Sequence, residues 1–234
     1  MDVDAIAALI PVLVVAVFAL VIVVAVHHWR TARKRREDLA LWAATNGMEL
    51  SLADPYGLHR LDFTLFTRGD GRGCENVVSG TWQGLDVRVA DYWYYETSHD
   101  SDGGSSRDYS HFSVVMARVD AWLPHVELAK ENVLTRLADH LAMRDLEFES
   151  EEFNRRFNVK AGDREFAYKL LDARMLEWLL HTAGPHSYEV SGDQVLAYCG
   201  RLPVSGLPAL LHAVKGFVDH VPRLVWADYG KGAP

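Results

Sequence analysis

An acidic loop near the middle of the chain carries side chains that could bind a metal ion. Asp100 and Asp102 alternate in a short polar segment, as the first ligands of a calcium-binding loop do. Such a loop also needs a third oxygen ligand two positions further on and a glutamate at its twelfth position, where this chain has Gly104 and His111. The pattern therefore predicts a solvated polar loop and no calcium site.

A second candidate for chemistry is a glycine-rich segment that contains a cysteine. Three glycines within residues 68–75 could present backbone N–H groups to a phosphate, but no Gly-Lys-Ser or Gly-Lys-Thr follows them. Glu75 lies beside Cys74 and would raise the pKa of the thiol instead of activating it. We interpret this segment as a flexible loop between strands.

The remaining titratable residues match no catalytic or metal-binding pattern. Eleven histidines are scattered without HExxH or HxH spacing, and the two cysteines, Cys74 and Cys199, lie far apart. Four glutamates could form an acid–base pair but are better placed to favour the positive end of a short helix dipole: Glu147, Glu149, Glu151 and Glu152. The sequence therefore predicts no catalytic residue, no cofactor and no metal site.

Aromatic side chains are concentrated in one β-rich part of the chain. Two interpretations are open: they line a pocket or a partner surface, or they pack a sheet. The residues in question are Trp82, Tyr92, Trp93, Tyr94 and Tyr95.

The elements that would position these groups begin with an apolar segment near the N-terminus. Residues 5–26 carry no charge and are long enough to cross a bilayer core of about 30 Å. Bases follow the segment and only Asp2 and Asp4 precede it, so the positive-inside rule predicts an outside N-terminus and a cytoplasmic C-terminal part in the cell membrane. We expect the following residues to contact lipid headgroups: Trp29, Arg30, Arg33, Lys34, Arg35 and Arg36.

The charge of the chain restricts its partners. The formal net charge is −8, and without the first 36 residues 30 acidic and 19 basic residues remain, a charge of −11. Such a surface repels phosphate backbones, which excludes nucleic acid as a partner of the domain. The expected partners are the lipid bilayer and a protein.

Hydrophobic periodicity and turn residues predict an α+β domain with antiparallel β-hairpins and packed helices. Helices are predicted at 37–46, 131–142, 163–171, 173–180 and 208–221, and strands at 63–67, 77–82, 87–95, 112–119, 124–128, 188–190 and 194–198. One hairpin turns at residues 83–86 and a second at residues 191–193, whereas a polar loop is expected at 97–110.

Three regions follow from this pattern. Residues 1–29 form a short tail and the transmembrane helix, residues 30–36 a basic juxtamembrane segment, and residues 37–234 a cytoplasmic α+β domain. A further boundary near residue 145 is the alternative to one domain.

Sequence stretches from Val77 through Tyr92 and at residues 148–157 and 221–223 resemble a family of actinobacterial single-pass membrane-anchored proteins. The most specific stretch is Phe-Glu-Ser-Glu from Phe148 to Glu151. That family has no assigned biochemical function, so the resemblance implies a membrane-anchored domain and no catalytic residues.

Because an anchor is joined to a domain without a catalytic constellation, we expect a membrane-tethered, non-enzymatic binding or scaffolding module. The alternative is a small-molecule or lipid-responsive regulatory domain with a pocket lined by the aromatic residues. An enzyme of unrecognised type is the third hypothesis.

Overall fold

The computed structural model describes residues 3–99, 104–130, 144–181 and 184–232. Its first element is α1, Val3–Thr45, an unbroken helix of 43 residues. The predicted helix at 37–46 is confirmed as the last part of α1, which ends before Gly47 in the left-handed conformation (φ +65°). Within the described residues α1 is the one helix long and apolar enough to cross a membrane, and the side chains of its most apolar stretch are exposed, with a mean hydropathy of 2.1.

An antiparallel sheet forms the centre of the domain, which confirms the predicted α+β class. Its order is β1-β2-β3-β4-β6-β5, and β7 pairs with β4 as well. The strands are β1 (Glu49–Ser51), β2 (Gly71–Trp82), β3 (Leu85–His99), β4 (Ser105–Lys130), β5 (Arg144–Leu146), β6 (Phe157–Ala161) and β7 (Ser187–Gly200).

The long strand β4 holds the sheet together because it is paired along both edges. One edge contacts β3 from Ser105 to Arg118 and β6 from Val126 to Lys130. Residues Phe112 to Arg118 and Val126 to Leu128 pair at the same time with β7, which therefore lies on the opposite edge. The two predicted strands at 112–119 and 124–128 are thus parts of a single strand.

The hairpin between β2 and β3 is confirmed, with a two-residue turn at Gln83 and Gly84 that both have positive φ. Its arms are longer than predicted. β2 already begins at Gly71, so most of the expected loop at 68–75 is strand. The polar loop expected at 97–110 is also wrong in its larger part, because Thr97 to His99 pair with Ser105 to Arg107. Residues 100–103, with the aspartates considered for calcium, lie outside the described residues.

The second predicted hairpin is wrong. β7 is one strand whose two halves pair with the same partner, from Tyr188 opposite Leu128 to Gly200 opposite Phe112. Gly192, with φ +58°, lies at an irregularity in this pairing. The extra residues lie in β4, where the chain advances five positions from Arg118 to Leu123 opposite two in β7, from Gln194 to Gly192. The bulge is therefore in β4, and β7 continues past Gly192 without a chain reversal because β4 pairs with it on both sides.

Among the described residues, five helices besides the end of α1 pack on one face of the sheet: α2 (Glu151–Arg156), α3 (Arg164–Leu170), α4 (Ala173–His181), α5 (Leu207–His220) and α6 (Arg223–Tyr229). The predicted helices at 163–171, 173–180 and 208–221 are confirmed as α3, α4 and α5. Asp163 and Asp172 accept hydrogen bonds from backbone N–H groups in the first turns of α3 and α4, which fixes where these helices begin. The predicted helix at 131–142 lies outside the described residues.

The opposite face of the sheet is covered by the segment between β1 and β2. It contains two 3₁₀ turns, Leu58–Arg60 and Thr64–Thr67, so the strand predicted at 63–67 is wrong. The buried Glu189 carboxylate accepts hydrogen bonds from the N–H groups of Thr64 and Leu65, at 2.6 and 2.9 Å. These donors would otherwise need a neighbouring strand, and a side chain 125 residues away supplies the acceptor instead.

Candidate functional site

A buried ion pair joins α1 to the sheet. Arg35 donates to both carboxylate oxygens of Asp91, at 2.7 Å from Nε and 2.5 Å from Nη2, and its Nη1 donates to the Leu202 carbonyl at 2.7 Å. The two charged side chains are only 13% and 7% exposed. A bidentate guanidinium–carboxylate contact has a fixed geometry, so it sets the direction in which α1 leaves the domain.

The periodicity of the helix and of the strand places Arg35 and Asp91 on the faces of α1 and β3 that pack together. Arg35 lies four residues before the buried Leu39, hence on the same face of α1. Asp91 continues the alternation of Val87 and Val89, which belong to the same core cluster as Leu39. The polar pair therefore lies at the end of an apolar helix–sheet contact.

Two further side chains complete the environment of Asp91. Asn76 Nδ2 and Arg201 Nη2 each donate to Asp91 Oδ2 at 3.0 Å. Burial opposes ionisation of the Asp91 carboxyl, but the hydrogen bond and charge of Arg35, together with Asn76 and Arg201, outweigh it and hold the pKa below its ordinary value. Asn76 lies at a register shift of β2 and has φ +52°, a conformation that asparagine tolerates better than most residues.

Beside this network is a cleft of about 460 Å³ between α1, β2 and the segment after β7. Four of its lining side chains are basic, Lys34, Arg35, Arg36 and Arg201, and two are acidic, Asp38 and Glu75. The cleft is basic although the domain as a whole is acidic. Asn76 also lines it, and the buried Oδ1 atom of Asn76 has no hydrogen-bond partner within the described residues.

The basic residues after the apolar stretch are divided between two environments. Trp29, Arg30, Arg33, Lys34 and Arg36 lie on exposed parts of α1, whereas the Arg35 guanidinium is placed against the soluble domain. Arg33 forms an exposed ion pair with Glu37, and its guanidinium lies 5.5 Å from the centre of the Trp29 ring. Asp91, Asn76 and Arg201 were missed by sequence reasoning because each lies far along the chain from Arg35.

The five aromatic residues do not line one pocket in the part of the chain that the structure describes. Tyr92 and Tyr94 are buried beneath the segment with the 3₁₀ turns. Trp93 and Tyr95 lie on the opposite face of β3, with ring centres 6.4 Å apart and planes 12° from parallel. Trp82 contacts His212 at the other end of the hairpin. Alternation along a strand accounts for this division.

Trp93 and Tyr95 extend a surface on the side of the domain where α1 leaves it. Leu39 shares a core cluster with Val87 and Val89, and Arg35, one turn nearer the N-terminus of α1, contacts Asp91. Trp93 and Tyr95 follow Asp91 along β3 in the direction in which α1 leaves the domain. The exposed Tyr109 ring of β4 adds to this surface, 5.3 Å from the Tyr95 ring centre. On the neighbouring strand a side chain at Gly71 would overlap the Tyr95 ring, so the ring lies directly over this glycine.

A second polar cluster is buried at the far end of β4. Glu127 and Glu189 face each other across β4 and β7 and are 2% and 0% exposed. Arg68 approaches Glu127 at 3.6 Å, and His125 Nε2 lies 3.3 Å from Glu189. Glu127 interrupts an apolar stretch of β4, which is the sequence signal that could have drawn attention to it.

The cysteines are poor nucleophiles in this environment. Burial, followed by the nearby charges of Asp54 and Asp91, raises the pKa of the Cys74 thiol far above its ordinary range. Burial raises the pKa of Cys199 to about 11.

Fold and site together define an α+β domain joined to an N-terminal apolar helix by the Arg35–Asp91 ion pair and by the buried Leu39. No family model matches the chain, and no curated protein matches it. A similar solved structure is the crystal structure of the mycobacterial trehalose monomycolate transport factor A, TtfA. The match has a TM-score of 0.59 and 16% sequence identity, and it covers 81% of this chain and 97% of that one. At this identity the likeness shows a shared fold.

Proposed function

We propose that the chain is a membrane-tethered, non-enzymatic binding module that presents one side of its domain to a protein partner at the cytoplasmic membrane surface. The observation that supports this proposal is the Arg35–Asp91 contact, which fixes the domain to the helix. A flexible tether would leave every face of the domain equally accessible from the membrane, whereas a fixed helix presents the same side each time. Pre-orientation of this kind lowers the entropic cost of docking on a partner in the same membrane.

The orientation in the membrane is part of the proposal. Bases follow the apolar stretch and two aspartates precede it, which supports an outside N-terminus and a cytoplasmic domain. The exposed residues Trp29, Arg30, Arg33, Lys34 and Arg36 then lie at the level of the headgroups. The similar mycobacterial protein is named a trehalose monomycolate transport factor, and such a name is compatible with a membrane-associated module.

Site-specific photo-crosslinking in intact cells tests this proposal. A photoreactive phenylalanine analogue at Tyr109, on the side where α1 leaves, should give a discrete protein adduct in the full chain. The same analogue at the exposed Thr81, near the opposite end of the β2–β3 hairpin, is the matched control and should give none. Equal adducts at both positions, or none at Tyr109, would contradict a preferred docking side.

A flexible insertion provides the second arm of this experiment. Six Gly and Ser residues between Trp29 and Arg30 keep the tether and the Arg35–Asp91 contact but remove the fixed link to the membrane part of α1. The Tyr109 adduct should weaken in this variant. A small molecule that co-purifies stoichiometrically with the full chain, without any protein adduct, would support the alternative of a small-molecule or lipid-responsive regulator.

A further inference from the structure

We propose that the basic cleft beside Arg35 binds the headgroup of an anionic phospholipid that carries free hydroxyl groups, such as phosphatidylglycerol or phosphatidylinositol. The inference rests on the proposed membrane tethering and adds a ligand class and a site to it. Three observations support it: the position of the cleft, its cations that form no ion pair within the described residues, and a hydrogen-bond acceptor in its lining that has no donor there.

The cleft lies where headgroups would be found. Its lining begins at His28, two residues after the apolar stretch ends at Val26, and continues on α1 to Asp38. At about 1.5 Å per residue, His28 and Thr31 fall within about 8 Å of the last apolar residue. The headgroup layer on each side of a bilayer is about 5–8 Å thick, so the upper end of the cleft lies inside it.

The cations of the cleft divide into structural and free groups. Arg35 and Arg201 both pair with Asp91, and Arg201 also lies 3.9 Å from Glu75, so two carboxylates balance the two guanidinium charges. These two arginines shape the cleft and are not available to a ligand. Lys34 and Arg36 form no ion pair within the described residues, and both are exposed on the cleft side of α1. Both line the cleft on either side of Arg35, so they are the cations that a phosphate diester bound there would meet.

The lining of the cleft also contains a buried hydrogen-bond acceptor that receives no hydrogen bond within the described residues. Asn76 is 4% exposed, its Nδ2 is used by Asp91, and its Oδ1 has no partner within the described residues. A buried acceptor without a donor costs free energy, which a ligand hydroxyl or a water that such a hydroxyl binds would recover. Glu75 is a second acceptor on the same side of the cleft. A headgroup with both a phosphate and hydroxyl groups matches this arrangement, whereas phosphatidylcholine has no donor.

The test uses the full chain in mild detergent and native mass spectrometry with short-chain lipids. Phosphatidylglycerol should be retained at a stoichiometry of one in preference to phosphatidylcholine. The double variant Lys34→Ala/Arg36→Ala should bind it about tenfold more weakly in detergent, because it removes the two cations of the cleft that form no ion pair within the described residues. The matched control is Arg30→Ala/Arg33→Ala, which removes two bases from the same helix outside the cleft and should bind like the parent.

A third variant, Asn76→Gly, removes the acceptor at a position where positive φ favours glycine, and should reduce the preference for phosphatidylglycerol over phosphatidylcholine. Circular dichroism melts check that each variant is folded. Equal losses in the two double variants, or equal retention of both lipids, would overturn the proposal. If inorganic phosphate at the same concentration as the lipid displaces phosphatidylglycerol completely, the cleft binds anions in general, and the proposal of a phospholipid site is overturned as well.

The lipid-retention experiment tests the cleft independently of the crosslinking experiment. Lipid retention is measured on the isolated chain and requires no partner, so a missing Tyr109 adduct with selective lipid retention would reject only the docking proposal. An adduct without lipid selectivity would reject only the lipid site.

Discussion

The two buried glutamates on β4 and β7 have the same residue type and opposite roles. Glu189 accepts two backbone hydrogen bonds, from Thr64 and Leu65, that hold a 3₁₀ turn against the sheet. Glu127 faces Glu189, and its Oε1 has no hydrogen-bond partner within the described residues. Burial, followed by the charge of Glu189, raises the pKa of Glu127 to about 7 in spite of Arg68. In Glu189 both carboxylate oxygens accept hydrogen bonds from backbone N–H groups, whereas burial of Glu127 favours its protonated form.

This difference predicts opposite effects of the same substitution. The unfolded Glu127 carboxyl loses its proton near pH 4.5 and the folded one near pH 7, so stability falls as pH rises through this interval. Glu127→Gln should therefore raise the free energy of unfolding at pH 8, on the order of 2 kcal/mol, and leave it unchanged at pH 4. Thermal or urea melts across this pH range measure the difference.

Glu189→Gln is the matched control and should destabilise the protein by about 1–3 kcal/mol, because an amide NH₂ would then face a backbone N–H that lacks another acceptor. If both variants lose stability at pH 8, Glu127 is ionised and paired in the folded protein, contrary to this prediction.

At the scale of single residues, the sequence indicated which residue types matter but not which residues distant in the chain contact one another. The basic run around Arg35 was recognised from its composition. Its division into exposed bases and one buried arginine depends on Asp91, which is 56 residues away. The packing of α1 against β3 determines this ion pair, and no local sequence pattern predicts it. The aromatic residues were recognised in the same way, while the pleat that separates Tyr92 from Trp93 became clear only once the strand and its two covered faces were known.

At the scale of elements, helices were predicted better than strand connections. Apolar spacing and the capping residues Asp163 and Asp172 are local, so α3, α4 and α5 could be located from sequence. Gly84 in the hairpin turn and Gly192 opposite the bulge of β4 both have positive φ, but the chain reverses at the first and not at the second. The difference lies in the partner strand β4, which continues past Gly192 and is remote in sequence.

The apolar stripe of α5 yields a prediction at this scale. Leu211 is fully buried against the sheet, whereas Lys215 is half-buried and forms an ion pair with Asp219 at 2.5 Å. Leu211→Asp places an unpaired charge in the core, which should cost several kcal/mol, a large part of the roughly 5–15 kcal/mol that stabilises a typical domain. Thermal melts of the full chain in detergent should show loss of the cooperative transition.

Lys215→Ala is the control for this variant. It removes a helix-surface ion pair of the kind that contributes only a few tenths of a kcal/mol, so its melting temperature should stay within a few degrees of the parent. A Leu211→Asp protein that melts like the parent would mean that the stripe is not part of the core.

At the scale of the whole molecule, the proposed orientation predicts which end of α1 a membrane-impermeant maleimide can reach. The native cysteines are weak reporters, because Cys199 is buried and both thiols have raised pKa values. Single reporters at Asp2→Cys and at the exposed Thr81→Cys avoid this limitation. In intact cells the first should be labelled and the second should not, and both should react after lysis, with the parent chain as the blank.

Labelling of Thr81→Cys before lysis would place the domain outside and reverse the orientation. It would also place the exposed bases of α1 on the side where the positive-inside rule disfavours them.

The dependence of the sheet on β4 also determines the order in which the protein can fold. Pairs between β4 and β7 join residues 60 to 88 positions apart, from Leu128–Tyr188 to Phe112–Gly200. A ribosome produces α1, β2, β3 and β4 before β7, so one edge of β4 stays open until the chain has reached Gly200. Copies held at a membrane by α1 would meet one another at high local concentration during that interval, and an open edge can pair with another chain. A chain truncated before Ser187 would keep this edge permanently, and we expect it to aggregate at the membrane.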